Sequence, residues 1–389
     1  MKSFSPTQPG AGRHWRLAGF AALTAITTVA SLVGCSSAGT PEPSKSSDNA
    51  GMPSYYPADY SQTIDASKKE GGNLVIYSNT DQENWAPILR DFQAKYPWVT
   101  NISADNLDSD EVFQRQLSEM ATGSAPADML VSNAIQAWAT YAATRDTIMK
   151  YDSPELAQLP KFAELMPSVY AMSLDPVGLA YNSALMEKGP TSIADLARMV
   201  AADPGKYKDK ITTRDVNGAF GFTVSNAFVE GNSKAWDSLA KILPMARPET
   251  SSGTQREKIL SGEYLAGFFI SSAVAYPAED QSGGLLKFVL PNDGTVVLGR
   301  GIGITPKAPH PATAKLFLDF VLSADGQNAV AEGGLSSYRD NVKLTEGRHT
   351  YQEVEKLAGQ DGIIRVPYEV VSDADVNAFA KRWDGLLGK

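Results

Sequence analysis

The stretch NLVIYSNTDQENW, residues 73–85, decides the fold class. Leu74, Val75, Ile76 and Tyr77 form a short apolar, β-rich run of the kind buried in a parallel sheet. The polar loop SNTDQEN follows, and Trp85, Ile88, Leu89, Phe92 and Tyr96 then recur at three- and four-residue steps, which predicts an amphipathic helix stopped by Pro97. Upstream, residues 60–72 read as a helix ending at Gly71 and Gly72. The unit then repeats. VTNISA (99–104) reads as a strand, a helix with Phe113, Leu117 and Met120 on one face comes next, and ADMLVS (127–132) is another strand. Alternating strand and helix means a parallel sheet covered on both faces. Such sheets bind ligands where strands end and loops and helix N-termini converge. Those places are Ser78, Asn79 and Thr80 after the first strand, and Ser132 and Asn133 after the third. The same residues are also ordinary loop and capping residues.

Downstream, PVGLAYNSALM (176–186) reads as a strand into a second neighbourhood. In TSIADLARMV (191–200), Ser192 is the expected N-cap, with Asp195 three residues on as a short-acid variant of the capping box. Ser251, Ser252, Gly253 and Thr254 make a hydroxyl-rich helix start whose free N–H groups suit an anion. LAGFFISSA is a buried strand ending in Ser271 and Ser272. The chain then returns through TVVLGRGIGIT (295–305) and a helix pair in residues 312–334, so it crosses twice between two lobes and makes a hinge. Arg214, in TTRD, either clamps carboxylate or phosphoryl oxygens with parallel bonds or pairs at the surface with Asp215 or Asp209. Phe269, Tyr276 and Tyr338 either wall a ligand or fill the core.

The N-terminus carries a separate message. Lys2, Arg13 and Arg16 precede an uncharged run, Leu17 to Gly34, the n- and h-regions of an export signal. Cys35, the only cysteine, follows Leu32, Val33 and Gly34 in ASLVGCSSAG, which resembles a bacterial lipobox. One sulfur makes no disulfide within the chain, and without a ligand cluster it makes a poor metal site. Cys35 is therefore the expected lipidation site; the alternative is an uncleaved membrane helix with an incidental cysteine. Residues 1–34 are read as the signal peptide and 35–54, rich in Ser, Gly and Pro, as a flexible tether. The body beyond is long enough for two packed lobes. Removing residues 1–34 takes away three cations and no acid, leaving 32 Lys+Arg against 44 Asp+Glu, a net of −12. That balance argues against nucleic acid as a partner.

Several segments in order, KKEGGNLVIYSNTDQENW, APADMLVSNA, GLAYNSALM, SGEYLAGFFISS and AKLFLDFVLSADGQ, together resemble the type 2 periplasmic solute-binding proteins of ABC importers. The resemblance is to the ferric-iron branch and its relatives for phosphonates, phosphorylated compounds and organic acids. It implies an α/β, two-lobe fold, each lobe a mixed, mostly parallel sheet flanked by helices, with a hinge of two crossing strands. The lobes would be 55–178 with 301–345, and 179–300; the helices of 346–389 stay unassigned. It further implies a protein, expected to be monomeric, that hands a small solute to an ABC permease. With the lipobox at Cys35 it would be lipid-anchored on the extracytoplasmic face of the cell membrane, and the loop hydroxyls and free N–H groups point to a small anionic organic solute. In the iron branch two adjacent tyrosines after the GEY strand grip the metal, but the matching positions here are Ser272 and Ala273. Glu111 matches a family acid near the metal, and a lone acid at a helix start also serves the helix dipole. The iron site is read as lost, so neither metal nor cofactor is expected, with ferric iron kept as the alternative cargo. Arg339 sits at a family position that ties the lobes together, and is read as structural.

The expected ligand set is Ser78, Asn79, Thr80, Ser132 and Asn133 from one lobe, and Arg214, Ser252, Thr254, Ser271 and Ser272 from the other. An enzyme is disfavoured. No nucleophile elbow, zinc-protease or phosphate-loop motif occurs, and the one Ser-x-x-Lys, Ser238 to Lys241, lacks its companion motifs and lies on an amphipathic helix.

Overall fold

The computed structural model describes residues 52–144, 146–344 and 347–388. The signal peptide, Cys35 and almost all of the tether lie outside the described residues. Those described all belong to one unit, Asp48–Lys389.

In chain order, the first part runs α1 (Ser61–Lys68), β1 (Asn73–Ser78), α2 (Gln82–Lys95), β2 (Asn101–Asn106), α3 (Glu111–Ala121), β3 (Met129–Ser132) and α4 (Ile135–Ala143). A short β4 (Glu164–Met166) leads to the long β5 (Val169–Asn182). Next come α5 (Ile193–Ala202), α6 (Pro204–Tyr207), β6 (Ile211–Arg214), α7 (Ala219–Gly231), α8 (Ala235–Ile242), β7 (Ala246–Glu249), α9 (Ser252–Leu260), β8 (Ala266–Ser271), α10 (Ser272–Gln281) and β9 (Leu286–Val289). The chain closes with β10 (Thr295–Ile304), α11 (Pro311–Leu322), α12 (Ala324–Glu332), α13 (Tyr351–Ala358), β11 (Ile363–Arg365) and α14 (Asp373–Leu387).

The strands follow one hydrogen-bonded path, β2-β1-β3-β10-β5-β8-β6-β7. Its two ends are parallel, β2-β1-β3 and β8-β6-β7, as the strand–helix alternation predicts. The middle is antiparallel: β10 pairs with both β3 and β5, and β5 with β8. Thus β5 and β10 are the long strands that carry the chain from one parallel end to the other. The expected lobe boundaries, 178/179 and 300/301, fall inside them.

Packing follows the sequence pattern with some corrections. Trp85, Ile88 and Phe92 of α2 bury against Phe317 and Phe320 of α11 in one core. A second core gathers Leu196, Phe228, Leu239, Phe268 and Trp383. Gly72 ends the α1–β1 connection at φ +74°, and a Cβ there would lie 2.4 Å from the Trp98 carbonyl oxygen, so only glycine fits. Ser192 caps α5 by accepting from Asp195 N at 2.8 Å, whereas the Asp195 carboxylate turns back to Thr191 N, so the reciprocal half of the capping box is absent. The predicted face of α3 is wrong: the helix buries Val112, Phe113 and Gln116 and leaves Leu117 39% exposed. The strand expected from residue 176 begins at Val169, because Pro176 sits within β5 in register with Val297 rather than at its start. The C-terminal residues divide. Tyr351 and Val354 of α13 pack with Leu174 and Tyr338, while Phe379 and Trp383 of α14 stack on each other in the second core. Among the described residues, no helix is long and apolar enough to cross a membrane.

Candidate functional site

A cleft of about 380 Å³ opens between the ends of the two parallel strand sets. From one side it is lined by Asn79, Thr80, Asp81 and Asn84 after β1, by residues 106–109 and Glu111 after β2, and by Asn133 after β3. From the other come Arg214 at the end of β6, Phe220 of α7, residues 250–253 at the start of α9, and Ser271, Ala273 and Val274 after β8. Arg300 of β10 forms part of its floor.

Arg214 is the unusual group. It is 7% exposed, and neither Nε nor Nη1 has a hydrogen-bond partner among the described residues. The guanidinium lies 4.7 Å over the Phe220 ring. Desolvation by burial lowers its pKa to about 10, against the opposing pull of Asp108, Asp215 and Glu249, so the group stays cationic at neutral pH. The surface pairing considered for it does not form: Asp209 pairs with Arg247, and Asp215 accepts from the Asn217 backbone and side chain. A buried cation with vacant donors is costly unless an anion meets it.

Beside it, the α9 N-terminus is open to the cleft. Ser251 Oγ accepts from Thr254 N at 2.9 Å and Ser252 Oγ from Ser271 N at 3.2 Å. The first-turn amides of Ser252 and Gly253 have no intrahelical acceptor, as in any helix start. Ser271 Oγ is buried without a partner among the described residues. Arg300, 2% exposed, is committed: Nε donates to Asp175 at 3.0 Å, and Nη1 to Thr80 Oγ1 at 2.9 Å and Asn79 Oδ1 at 3.3 Å. Asn79 Nδ2 in turn donates to Asn133 Oδ1 at 2.8 Å. This network fixes the loops after β1 and β3 to the central strands.

Six of the ten residues expected to contact ligand therefore line the cleft: Asn79, Thr80, Asn133, Arg214, Ser252 and Ser271. The other four are placed outside the lining. Ser78 Oγ is occupied by Asp105 O, Trp85 Nε1 and Thr80 N; Ser132 Oγ accepts from Ala134 N; Thr254 Oγ1 meets Ser251 Oγ; and Ser272 is fully buried at the start of α10. The aromatic candidates belong to the core. Phe269 packs on Phe228 and Phe268, Tyr276 on Phe288, and the Tyr338 hydroxyl donates to Ala171 O. Phe220 is the ring that faces the cleft. Arg339 pairs with buried Glu155 and donates to Leu322 O. Ser238 and Lys241 lie on α8, outside the lining.

Contacts also cross the cleft rim. Asp110 Oδ2 accepts from Ala219 N at 3.1 Å and Ser109 Oγ from Phe220 N at 3.4 Å, so the turn before α3 caps α7. Asn84 Nδ2 donates to Ala273 O at 2.9 Å. The lining has carboxylates but neither phenol nor imidazole, and among the described residues no group of three or more His, Cys, Asp or Glu is placed to hold a metal ion.

Comparison with solved structures supports the type 2 periplasmic binding-protein fold. The substrate binding protein of an ABC transporter from Agrobacterium tumefaciens is similar with a TM-score of 0.74 at 20% identity, covering 82% of this chain and 96% of that one. The periplasmic binding protein AfuA from Actinobacillus pleuropneumoniae, solved with fructose-6-phosphate bound, gives 0.62 at 20% identity over 81% and 98% of the two chains. Iron-bound HitA from Pseudomonas aeruginosa gives 0.59 at 19% identity over 82% and 99%. No curated protein sequence matches the chain. Residues 88–356, more than half of the chain, match the family model described as bacterial extracellular solute-binding protein, and the chain belongs to that family.

Proposed function

We propose that this solute-binding protein captures a small anionic organic molecule, a phosphonate, organophosphate or carboxylate, in its cleft and delivers it to an ABC permease. The observation that carries this reading is the Arg214 guanidinium: it belongs to a residue of the cleft lining, is buried and stacked on Phe220, and has two nitrogens without an acceptor among the described residues. An anion there takes charge-assisted hydrogen bonds from Arg214 and further ones from the α9 amides, Ser252 and Ser271. The net negative charge does not oppose this, since scattered surface acids are screened beyond about 8 Å at physiological salt while these donors act in direct contact. Solute sits between the lobes 55–178 with 301–345 and 179–300, and closure about β5 and β10 removes water from both sets of residues. Fructose-6-phosphate, held by the Actinobacillus neighbour, is a solute of this class. In the same reading Cys35 carries the lipid that holds a monomeric protein on the outer face of the membrane, and no catalysis takes place.

A thermal-shift screen of the purified chain tests it, with phosphonates, phosphorylated metabolites, carboxylates, amino acids, polyamines and neutral sugars. A ligand at a hundred times its Kd stabilises the fold by about 2.7 kcal/mol. The expected result is a rise in Tm with at least one anion. A rise with neutral sugars or polyamines alone overturns the reading.

A further inference from the structure

We propose that the C-terminal segment makes a third connection across the hinge, beside β5 and β10, and that Tyr368 is a positioning residue of the cleft, holding β10 where it carries Arg300. The inference does not depend on which solute the cleft takes. The two ends of the segment grip different lobes. Tyr351 and Val354 of α13 pack with Ala171 and Leu174, whereas Phe379 and Trp383 of α14 pack on Trp236 and in the core around Leu196 and Leu239. Between them the chain runs along the hinge strand. β11 pairs with β10 in parallel, Ile363 to Arg365 against Thr295 to Val297. Ile364 fills a slot left by two glycines: a Cβ on Gly231 or on Gly294 would lie 2.7 Å from its Cδ1.

Just past β11, the Tyr368 hydroxyl donates to Gly299 O at 2.9 Å. A Cβ on Gly301 would lie 3.0 Å from the Tyr368 hydroxyl oxygen and 2.8 Å from Trp138 Nε1, so glycine at 301 is what lets both rings reach the strand. The register of β10 against β5 shifts between Arg300 and Gly301, which interrupts the ladder there. The Tyr368 bond falls beside that interruption. Tyr368 also packs against the Phe113–Trp138 core of one lobe and the Phe228–Trp383 core of the other. Arg300 in turn fixes Asn79 and Thr80 in the cleft, so a bond that holds Gly299 holds the floor on which both lobes close. The fraction of molecules in that arrangement scales the apparent affinity for any solute.

Hydrogen exchange of the purified, solute-free full chain, read by mass spectrometry, tests this with Tyr368→Phe and Tyr141→Phe. Each substitution removes one tyrosine hydroxyl that donates to a backbone carbonyl at 2.9 Å, but the Tyr141 bond, to Thr147 O, stays within one lobe. Phenylalanine keeps the ring and its packing in both. The amides of Ala219 and Phe220 donate across the cleft rim to Asp110 and Ser109, so their exchange reports each opening of the rim. The expected result is exchange of these two amides about two- to tenfold faster in Tyr368→Phe, as the loss of one hydrogen bond gives, and unchanged in Tyr141→Phe. Equal protection of the rim in Tyr368→Phe and the parent overturns the inference. So does the same acceleration in both variants, since the segment would then be ordinary packing. Neither result touches the anion reading, which the solute screen decides.

Discussion

Arg214→Met separates stability from binding in a way that only a vacant buried cation predicts. Burial lowers the Arg214 pKa to about 10, which corresponds to a penalty of roughly 3 kcal/mol on its charged form. The group is a base whose folded pKa lies below its unfolded value. Its penalty is therefore fully present at neutral pH and is relieved only as pH rises above about 10. Methionine keeps much of the volume and removes the charge. Against that gain stands the lost stacking on Phe220, worth about 1–2 kcal/mol. The net expectation is a ligand-free protein about 1–2 kcal/mol more stable, with Tm higher by roughly 1–3 °C for a unit of this size. Binding should move the other way. Two charge-assisted hydrogen bonds of about 1.5–3 kcal/mol each are lost, so the affinity for an anion that binds the parent falls by about a hundredfold or more. Melting curves with and without the anion, together with calorimetric titration, measure both effects. A variant that melts below the parent and binds the anion equally well would refute the reasoning, since Arg214 would then be an ordinary structural side chain.

Asp319 is 1% exposed and accepts from the hydroxyls of Tyr60, Tyr151 and Ser153 with Glu155 nearby; burial raises its pKa to about 6. Its proton stabilises the fold below that value, so stability falls as pH rises from about 4 through 6, by up to roughly 3 kcal/mol. Relative to Asp319→Asn, the parent should lose up to about 4 °C in Tm between pH 4 and pH 7; an unchanged difference contradicts this. Asp110→Ala removes the acceptor for Ala219 N, and should cost about 1 kcal/mol and weaken anion binding about fivefold; an unaltered Kd would show that the contact plays no part in closure. Cys35→Ala, outside the described residues, should release the chain from the membrane fraction, whereas mass spectrometry of the parent should find a mature chain beginning at an acylated Cys35. Ferric citrate should produce no tyrosinate-to-iron absorption band, because the cleft lining contains no tyrosine; a coloured complex reverses the assignment of cargo.

The parts of the fold that were legible in the sequence are those set by local pattern. The apolar run before Ser78 fixes β1 at Asn73–Ser78, the Trp85–Ile88–Phe92 spacing fixes the buried face of α2, and Ser192 caps α5 as its hydroxyl requires. Half-buried α3 was harder: Leu117 and Met120 fit a helical stripe as well as Val112 and Gln116 do, and only the neighbouring strands choose between them. In the site, Arg214 was legible as a candidate, but its isolation depended on Asp209 finding Arg247 in space. Arg300 was missed. An arginine between glycines inside a buried strand, LGRGIGI, was the available signal, since such a charge needs a carboxylate, and Asp175 lies 125 residues earlier in the chain. Phe220 differs from the core aromatics only in facing Arg214, which no local spacing encodes.

A crystal structure of the chain with the tightest-binding anion from the solute screen tests the central claim most directly. The predicted result is an anionic oxygen within hydrogen-bond distance of Arg214 Nε and Nη1, with the head group at the first turn of α9. A bound solute lacking an anionic group, or an anion seated elsewhere with the Arg214 guanidinium still unpartnered, would contradict it.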